Sequence, residues 1–329
     1  MKKQFKKSFF EKRDPEEKRK EIRERINDLK KKIAEITPQQ LAEFSRCWVI
    51  GQINGVRNYS LLNYAIASFQ LKVRGVTPTI FAPFSFWKEK ERSVKKGEKA
   101  VYIFAPYLKK EKVSDDEESP GRLDVVETES STINDSRLTS SEWNRRTTNG
   151  AKLSWLTVPV FDYNQTEGKD LEAEEYISGG LMGDYMSGES VVMFNDIVPL
   201  VPFEVDTYKF SNQGENGWTD GKKLYVLEKE DDREMLSTLI HEWAHSILHF
   251  DSDRKDLCTS TKELEAETVA YVVCDCIGIN SYKAPLYLAG WDKSLSGYEK
   301  VRIEKVVSAI EKILGTIVLE NRNASETAA

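Results

Sequence analysis

The segment His241-Glu242-Trp-Ala-His245-Ser-Ile-Leu-His249 contains all three histidines of this 329-residue chain. His241 and His245 are four residues apart, so on a helix both imidazoles project from nearly the same face and can bind one tetrahedral metal ion. An apolar stripe on the same predicted helix borders the histidines and consists of Leu236, Ile240, Ala244, Ile247 and Leu248. The spacing predicts a helix with a metal site at the edge of a cleft; the alternative is histidines that only satisfy hydrogen bonds in a core.

A second segment, Glu263-Leu-Glu265-Ala-Glu267, offers three candidate acidic ligands. On a helical wheel at about 100° per residue, Glu263 and Glu267 lie about 40° apart among small and apolar residues, whereas Glu265 lies at about 200°. A carboxylate on a buried face is costly unless a cation or a hydrogen bond satisfies it. We therefore expect Glu263 to be the third metal ligand, Glu267 to orient a ligating histidine, and Glu265 to face solvent.

Glu242 follows the first histidine by one residue, which places its carboxylate beside the predicted ion. There it can act as the general base for a metal-activated water. His249 is two helical turns from His241, so we interpret it as a packing residue or a hydrogen-bond partner of a ligand rather than as a ligand. Two histidines, one glutamate and an open position for water are typical of a catalytic site that holds one Zn²⁺.

The composition limits the class of protein. Hydrophobic residues make up 40% and charged residues 31%, which is typical of a globular protein and excludes a wholly disordered or fibrous chain. The apolar runs are far shorter than the roughly 20 residues that span a bilayer, so we expect no membrane partner. The basic start is not followed by an apolar stretch, and there are four cysteines. These features favour a cytoplasmic protein with reduced thiols.

Charge is distributed unevenly along the chain. Residues 1–110 contain 26 Lys+Arg and 12 Asp+Glu, a net charge of +14, and the other 219 residues carry −20. Positive charge concentrated at one end indicates a polyanion partner, most often nucleic acid, although a well-solvated charged helix is the alternative. Single strands bind through backbone electrostatics and stacking on aromatic rings. The candidate contacts are Asn58, Tyr59, Asn63, Trp87, Lys95, Lys96 and Lys99, with the aromatic rings as core residues in the alternative interpretation.

Four segments differ in composition. Residues 1–36 are almost all charged and predict an exposed helix or arm. Residues 37–168 form the first predicted domain, interrupted at 111–150 by a polar, acidic insertion that we predict to be disordered. Residues 169–329 form the second domain. The predicted helices cover Pro38 to about Ile53, a stretch from about Ser60, 232–250, 261–278 and 297–319, and the predicted strands cover 77–84, 100–105, 156–163, 188–194 and 222–227.

Several stretches resemble known proteins. In the C-terminal part these are His241–His249, Glu263-x-x-Ala-Glu267-x-Val-Ala-Tyr and Tyr287-Leu-Ala-Gly-Trp291. They resemble zinc-dependent metallopeptidases of the ImmA/IrrE kind, in the version joined to ArdC-like antirestriction proteins. In the N-terminal part they are Asn58-Tyr-Ser-Leu-Leu-Asn63, Trp87, Val94–Pro106 and Val160–Gly168. These resemble the ArdC-type single-stranded DNA-binding domain.

The resemblance implies an α+β fold with two parts. The N-terminal part would combine helices with a small antiparallel sheet that binds single-stranded DNA. The C-terminal part would be a zincin-like, gluzincin-type metallopeptidase domain with a His-Glu-x-x-His helix and a small mixed sheet. Such proteins belong to mobile genetic elements, where they help incoming DNA escape restriction.

Three functions follow from these observations. The first is a zinc metalloendopeptidase that carries its own single-stranded DNA-binding domain and acts on an unknown protein substrate. The second is a DNA-binding protein with a structural metal site, which Glu242 disfavours because such a site needs no base. The third is a regulatory protease that cleaves a repressor, which the positive charge of the first 110 residues disfavours.

Overall fold

The computed structural model describes residues 24, 28, 36–56, 59–109, 152–171, 192–210, 214–250, 257–279 and 301–327. The chain divides into two compact units, residues 1–35 and 36–329. In the first unit, Glu24 and Asp28 are helical and exposed. The predicted insertion at 111–150 lies outside the described residues. The second unit holds the sheets and the histidine segment.

The described residues contain seven α-helices and eight strands. The helices are α1 (Pro38–Ile53), α2 (Leu61–Lys72), α3 (Phe84–Glu89), α4 (Phe194–Ile197), α5 (Asp232–Leu248), α6 (Thr259–Cys276) and α7 (Ile303–Thr327). The strands are β1 (Phe81–Ala82), β2 (Arg92–Val94), β3 (Val101–Lys109), β4 (Lys152–Asp162), β5 (Thr166–Gly168), β6 (Glu204–Tyr208), β7 (Gly217–Thr219) and β8 (Lys223–Leu227). Among these residues no helix combines the length and apolar character that crossing a bilayer requires.

Helix α1 begins as its sequence predicts. Thr37 accepts a hydrogen bond from the Gln40 backbone at 3.2 Å, and the Gln40 side chain accepts one from the Thr37 backbone at 3.0 Å. This reciprocal cap satisfies two donors that the first helical turn leaves open. Ser60 caps α2 in the same position, through a hydrogen bond from the Asn63 backbone. The predicted starts of both helices are confirmed.

The N-terminal sheet forms around β3 and β4. From the sequence we expect the predicted strand at 156–163 to pair with the one at 100–105 across the insertion. The two strands do pair, antiparallel, from Val101 opposite Val160 to Lys109 opposite Lys152. Strand β1 pairs with the end of β4 and is only two residues long, shorter than the predicted 77–84. Pro83 follows it, cannot donate to a strand ladder, and occupies the N-cap of α3.

Helix α2 lies along the outer side of β3. The Asn63 amide donates to the Phe104 carbonyl and accepts from the Phe104 backbone N–H, both at 2.9 Å. Gln70 makes the same two contacts with the backbone of Tyr102, at 2.8 and 3.0 Å. The two amides thus satisfy backbone groups at the sheet edge that would otherwise need another strand.

The C-terminal sheet has the order β6-β8-β7, with β6 parallel and β7 antiparallel to β8. It is the small mixed sheet that the resemblance implies, and it lies against α5. Of the predicted strand at 188–194, the structure describes residues 192–194. The prediction is wrong there, because Phe194 begins α4 and the two residues before it are not in a strand. The Phe194 backbone donates to Asp232 at 2.6 Å, and Asp196 accepts from the Met193 backbone at 2.9 Å. These carboxylates cap a helix start there.

One hydrophobic cluster joins the described helices of the second unit except α3, whose Phe86 and Trp87 belong to a second cluster. Helix α6 packs against α1, α5 and α7, and Arg46 of α1 forms an ion pair with Asp275 of α6. Buried members of the cluster come from α1, such as Phe44, and from α5, such as Trp243. The histidine helix and the N-terminal helices therefore share a core, and the predicted boundary between residues 168 and 169 stays a prediction.

Candidate metal centre

Three donor side chains converge where α5 faces α6. The Nε2 atoms of His241 and His245 lie 3.0 Å apart. Carboxylate oxygens of Glu263 lie 3.5 Å from Nε2 of His241 and 3.5 Å from Nε2 of His245. Two consecutive turns of α5 supply the imidazoles, and the first turns of α6 supply the acid. The structure thus brings the three predicted ligands to one point.

The size of this triangle fits one metal ion. Two atoms bound at about 2.0–2.1 Å to a tetrahedral ion are about 3.3–3.4 Å apart. The separation of 3.0 Å between the two Nε2 atoms lies close to that value, as do the 3.5 Å distances from His241 to Oε2 and from His245 to Oε1 of Glu263. Imidazole and carboxylate suit zinc, and they also suit other divalent ions such as manganese. The donor set therefore identifies a candidate site for a divalent metal without selecting the element.

The electrostatics of the site also favour a cation. Burial lowers the pKa of His241, but the neighbouring carboxylates of Glu263 and Glu267 raise it to about 9 overall. The imidazoles of His241 and His245 hold the pKa of Glu263 well below its ordinary value. The negative charges of Glu263 and Glu267 thus favour a positive charge at this point. A divalent ion can supply that charge in place of the proton of an imidazolium ring.

Glu242 lies in the cavity beside the three donors. The cavity has a volume of about 650 Å³, and its lining includes His241, Glu242, His245 and Glu263. The Glu242 side chain is buried, and burial raises the pKa of its carboxyl group. A raised pKa brings a general base closer to neutral pH, where proton transfer is most effective.

Glycine at position 217 leaves room for Glu242. A Cβ atom at Gly217 of β7 would lie 3.0 Å from Cγ of Glu242 and 2.6 Å from Cγ2 of Thr238. Strand β7 therefore passes so close to α5 that a side chain larger than hydrogen would collide with it. This close approach makes β7 one wall of the cavity.

The two predicted supporting residues lie behind the imidazoles. Oε2 of Glu267 is 3.0 Å from Nδ1 of His241, off the line of an ideal N–H bond. Nδ1 of His249 is 2.9 Å from Nδ1 of His245. His249 is 4% exposed, and burial lowers its pKa, which favours the neutral ring. Neither residue belongs to the triangle of converging donors.

The predicted burial is wrong for two of the three α6 acids. Glu265, expected in solvent, is 0% exposed, whereas 56% of the Glu263 side chain is exposed. Arg302, at the start of α7, donates to both carboxylate oxygens of Glu265. Burial alone would raise the pKa of Glu265, but hydrogen bonds from His249 and Arg302 lower it to about 2. Sequence reasoning missed Arg302, which lies 37 residues beyond Glu265 and belongs to no recognisable motif.

Trp87 is a core residue, which contradicts its prediction as a stacking platform for DNA bases. Its side chain is 0% exposed, and its indole N–H donates to the carbonyls of Ala82 and Phe161, both at 3.1 Å. Tyr59 also packs partly buried against the hydrophobic core. These positions match the alternative interpretation in which the aromatic rings stabilise the fold.

The other polar residues predicted to bind DNA have mixed positions. The Asn63 amide is fully engaged with the Phe104 backbone, so it holds α2 to β3. The backbone N–H of Leu61, at the start of α2, already donates to Glu311 at 3.0 Å. Asn58 lies outside the described residues.

The three lysines predicted to bind DNA lie at the surface. Lys95, Lys96 and Lys99 are exposed, and Lys95 donates to the Asn164 carbonyl at 3.0 Å. Arg92, three residues before Lys95 in the sequence, is only 6% exposed. It donates to Thr166 and lies 4.0 Å from the ring centre of Tyr163. Arg92 therefore joins β2 to β5 and has no surface left for a phosphate.

An exposed aromatic ring that sequence reasoning missed lies on the same part of the surface. Tyr102 is 45% exposed, between Val101 and Ile103, which are 0% and 1% exposed. Arg74 donates to the carbonyls of Lys99 and Ala100, at the start of the same strand. The alternation of apolar and polar residues along β3 was the signal that points Tyr102 outward.

Comparisons with known proteins identify a family for the N-terminal part of the sequence. Residues 12–144 match the family model for the N-terminal domain of anti-restriction factor ArdC. An uncharacterized protein of Bacillus anthracis is 26% identical over 251 residues, which cover 70% of this chain. The chain spans about two fifths of that relative, 41% of its length.

Two solved structures of the antirestriction protein ArdC from the R388 plasmid are similar over 80% of this chain. The metal-free structure is 16% identical with a TM-score of 0.44 and is covered over 85% of its length. The Mn(II)-bound structure is 14% identical with a TM-score of 0.40 and is covered over 84%. Residues 12–144 of this chain are therefore similar to the N-terminal domain of the anti-restriction factor ArdC.

Proposed function

We propose that the chain is a metal-dependent peptidase joined to a single-stranded DNA-binding domain. The observation that supports the peptidase most strongly is the convergence of His241, His245 and Glu263 within 4.8 Å of one another, next to Glu242 in an open cavity. Three protein ligands leave one coordination position for water, which is the arrangement of hydrolytic zinc sites.

Each residue has a distinct task in this proposal. His241, His245 and Glu263 would hold the ion, which would supply Lewis acidity and lower the pKa of a bound water. Glu242 takes the proton from the attacking water and returns it to the leaving amine. Glu267 orients the ring of His241 from behind. The closeness of Gly217 to Glu242 keeps the carboxylate at the cavity wall.

A peptide is the substrate class that the cavity favours. Within the described residues β7 pairs only with β8, so its other edge carries backbone groups that an extended peptide can pair with. The aromatic rings of Trp218 and Phe250 are 43% and 39% exposed and line the same cavity. They offer apolar contacts to side chains of the peptide.

Cleavage by matched variants tests the peptidase. The chain loaded with Zn²⁺ or Mn²⁺ should cleave members of a peptide library, detected by mass spectrometry. Glu242→Gln should keep the metal and lose at least about 10²-fold in rate, since general-base catalysis contributes 10²–10⁴-fold. Glu234→Gln on the same helix removes an exposed acid that pairs with Lys229, and it should leave the rate unchanged. Equal cleavage by wild type and Glu242→Gln would reject the proposal.

Two alternatives remain distinguishable from this proposal. A structural site closes with four protein ligands, whereas three donors converge among the described residues. A structural site also gives no role to the buried carboxylate of Glu242. A repressor-cleaving protease would share the chemistry of the site but would not depend on nucleic acid. Cleavage assays with and without DNA separate that case.

Single-stranded DNA binding is the second part of the proposal. Its support is the ArdC family match together with the exposed lysines 95, 96 and 99 and the exposed ring of Tyr102. We place the stacking contact at Tyr102 instead of Trp87. In the cell, a peptidase joined to a single-stranded DNA-binding domain would protect the incoming DNA of a mobile genetic element from restriction.

Fluorescence anisotropy tests the DNA contact. Single-stranded DNA should bind more tightly than duplex, and the affinity should fall steeply with salt. Replacing Lys95, Lys96 and Lys99 together by Gln should reduce the log–log salt slope by about 2, since each phosphate contact contributes about 0.7. A salt-insensitive affinity, equal for single and double strands, would reject DNA binding.

A further inference from the structure

A buried chain of polar side chains extends from the candidate metal centre to the start of α7. Nδ1 of His245 is 2.9 Å from Nδ1 of His249, and Nε2 of His249 is 3.0 Å from Oε2 of Glu265. Arg302 donates from its backbone to Glu265 Oε1 at 2.7 Å and from its guanidinium at 2.8 and 3.1 Å. The side chains of His249 and Glu265 are 3% and 0% exposed, so water does not compete for these bonds.

The direction of the hydrogen bonds follows from Glu265. A carboxylate that accepts from Arg302 can only accept, so Nε2 of His249 must carry the proton that faces it. In the neutral ring, Nδ1 of His249 is then an acceptor. The neighbouring Nδ1 of His245 must donate to it, which leaves the lone pair of His245 on Nε2. That lone pair is the one that faces His241 and Glu263.

We propose that His249, Glu265 and Arg302 are positioning residues that fix the tautomer and the ring orientation of His245, so that Nε2 faces the metal. The inference rests on the proposed metal site, but it concerns three residues that do not touch the ion. A hydrogen-bonded partner behind a ligating histidine typically changes metal affinity 10–100-fold. Here the partner is a second histidine, whose own tautomer is set by a buried ion pair.

The same chain of bonds couples the metal ligand to three helices. Arg302 also donates to the carbonyl of Leu248, at the C-terminal end of α5, at 3.0 Å. The guanidinium therefore joins the end of the histidine helix to Glu265 of α6 and to the start of α7. These bonds explain why Glu265, which lies between Glu263 and Glu267 in the sequence, is fully buried.

Nuclear magnetic resonance of ¹⁵N-histidine in the full chain tests the tautomers directly. The chain has three histidines, so each imidazole can be assigned from one His→Gln variant. In the metal-free wild type we expect the proton on Nε2 of His249 and on Nδ1 of His245. We call His249, Glu265 and Arg302 the relay. A His249 ring that is protonated on Nδ1, or on both nitrogens, would overturn the proposal, and this measurement on the wild type requires no substitution in the relay.

Zinc affinity supplies the second readout. In Glu265→Gln the carboxamide can donate as well as accept, so we expect mixed tautomers at His249 and zinc binding weakened about 10–100-fold. Asp275→Asn is the matched control, because it removes an ion-paired acid from the far end of the same helix, and its zinc affinity should stay at the wild-type value. An equal loss of zinc affinity in Glu265→Gln and Asp275→Asn would show a general structural effect and overturn the proposed role of the relay.

The two proposals fail in different ways. If the wild type binds neither zinc nor manganese, the metal site is wrong. The tautomers of the metal-free chain are measured without metal, and they decide whether Glu265 sets the ring of His249. If zinc binds normally but His249 has the other tautomer, the relay is wrong and the metal site stands.

Discussion

Gly217 on β7 and Glu242 on α5 are so close that a methyl group on the glycine would lie 3.0 Å from Cγ of the glutamate. The same methyl group would lie 2.9 Å from the Tyr225 carbonyl, which is backbone and cannot rotate away. Gly217→Ala must therefore move β7 or the Glu242 side chain. We expect a loss of about 1–3 kcal/mol in the free energy of unfolding, typical of overpacking, together with a lower cleavage rate.

Gly315→Ala is the matched control for Gly217→Ala. Gly315 lies within α7, and a Cβ atom there would meet only the Trp48 ring at 3.8 Å. Alanine is favoured over glycine inside a helix by about 0.5–1 kcal/mol, so this variant should be more stable than wild type. Urea denaturation of both variants measures the contrast. Equal effects of the two substitutions would contradict the close approach of β7 to Glu242.

Trp87 and Tyr102 should respond in opposite ways to truncation. Trp87→Ala removes a fully buried side chain and should lower the free energy of unfolding by about 3–5 kcal/mol. Tyr102→Ala removes a half-exposed ring and should change stability little, while single-stranded DNA binding weakens by about 1–3 kcal/mol. Phe210→Ala, at a ring that is 78% exposed on the C-terminal part, is the control. Unchanged DNA affinity in Tyr102→Ala would remove Tyr102 from the interface.

Asp162 should give the protein a specific dependence of stability on pH. Burial raises the pKa of this carboxyl to about 6, although Thr79 donates two hydrogen bonds to it. Below about pH 4 the group is protonated in the folded and the unfolded chain alike. Between pH 4 and 6 only the unfolded chain ionises it, so the folded state loses stability as the pH rises, by about 3 kcal/mol in total.

The difference between wild type and Asp162→Asn isolates this effect. The asparagine does not titrate, so the stability of wild type should fall relative to the variant from pH 4 to 6 and then stay constant. Urea titrations at fixed pH values measure that difference. A difference that is flat from pH 4 to 7, or that changes in the opposite direction, would contradict a raised pKa at Asp162.

Local patterns in the sequence predicted much of the fold and of the site. The capping residues around Thr37 and the alternation along β3 act within a few residues, and both gave correct elements. The four-residue spacing of His241 and His245 placed both rings on one face because helix geometry alone determines it. The pairing of β3 with β4 across the insertion was predicted, whereas the register of the two strands comes from the structure alone.

The errors arose where distant parts of the chain decide the outcome. A helical wheel treats α6 alone, so it placed Glu265 in solvent and could not include Arg302, which arrives from α7 and buries that acid. Trp87 lies beside a basic loop in sequence, but its ring turns inward to the carbonyls of Ala82 and Phe161. Phe194 follows an apolar run, yet Asp232 from another helix caps a helix start there.

Metal binding by the purified chain tests the central claim most directly. Isothermal titration with Zn²⁺ should give about one ion per wild-type chain, and zinc at 100 times its Kd should stabilise the fold by about 2.7 kcal/mol. His241→Ala and Glu263→Ala should each abolish both effects, whereas Glu234→Ala should retain them. A wild-type chain that binds no divalent ion, or full retention of binding in both ligand variants, would contradict the proposed metal centre.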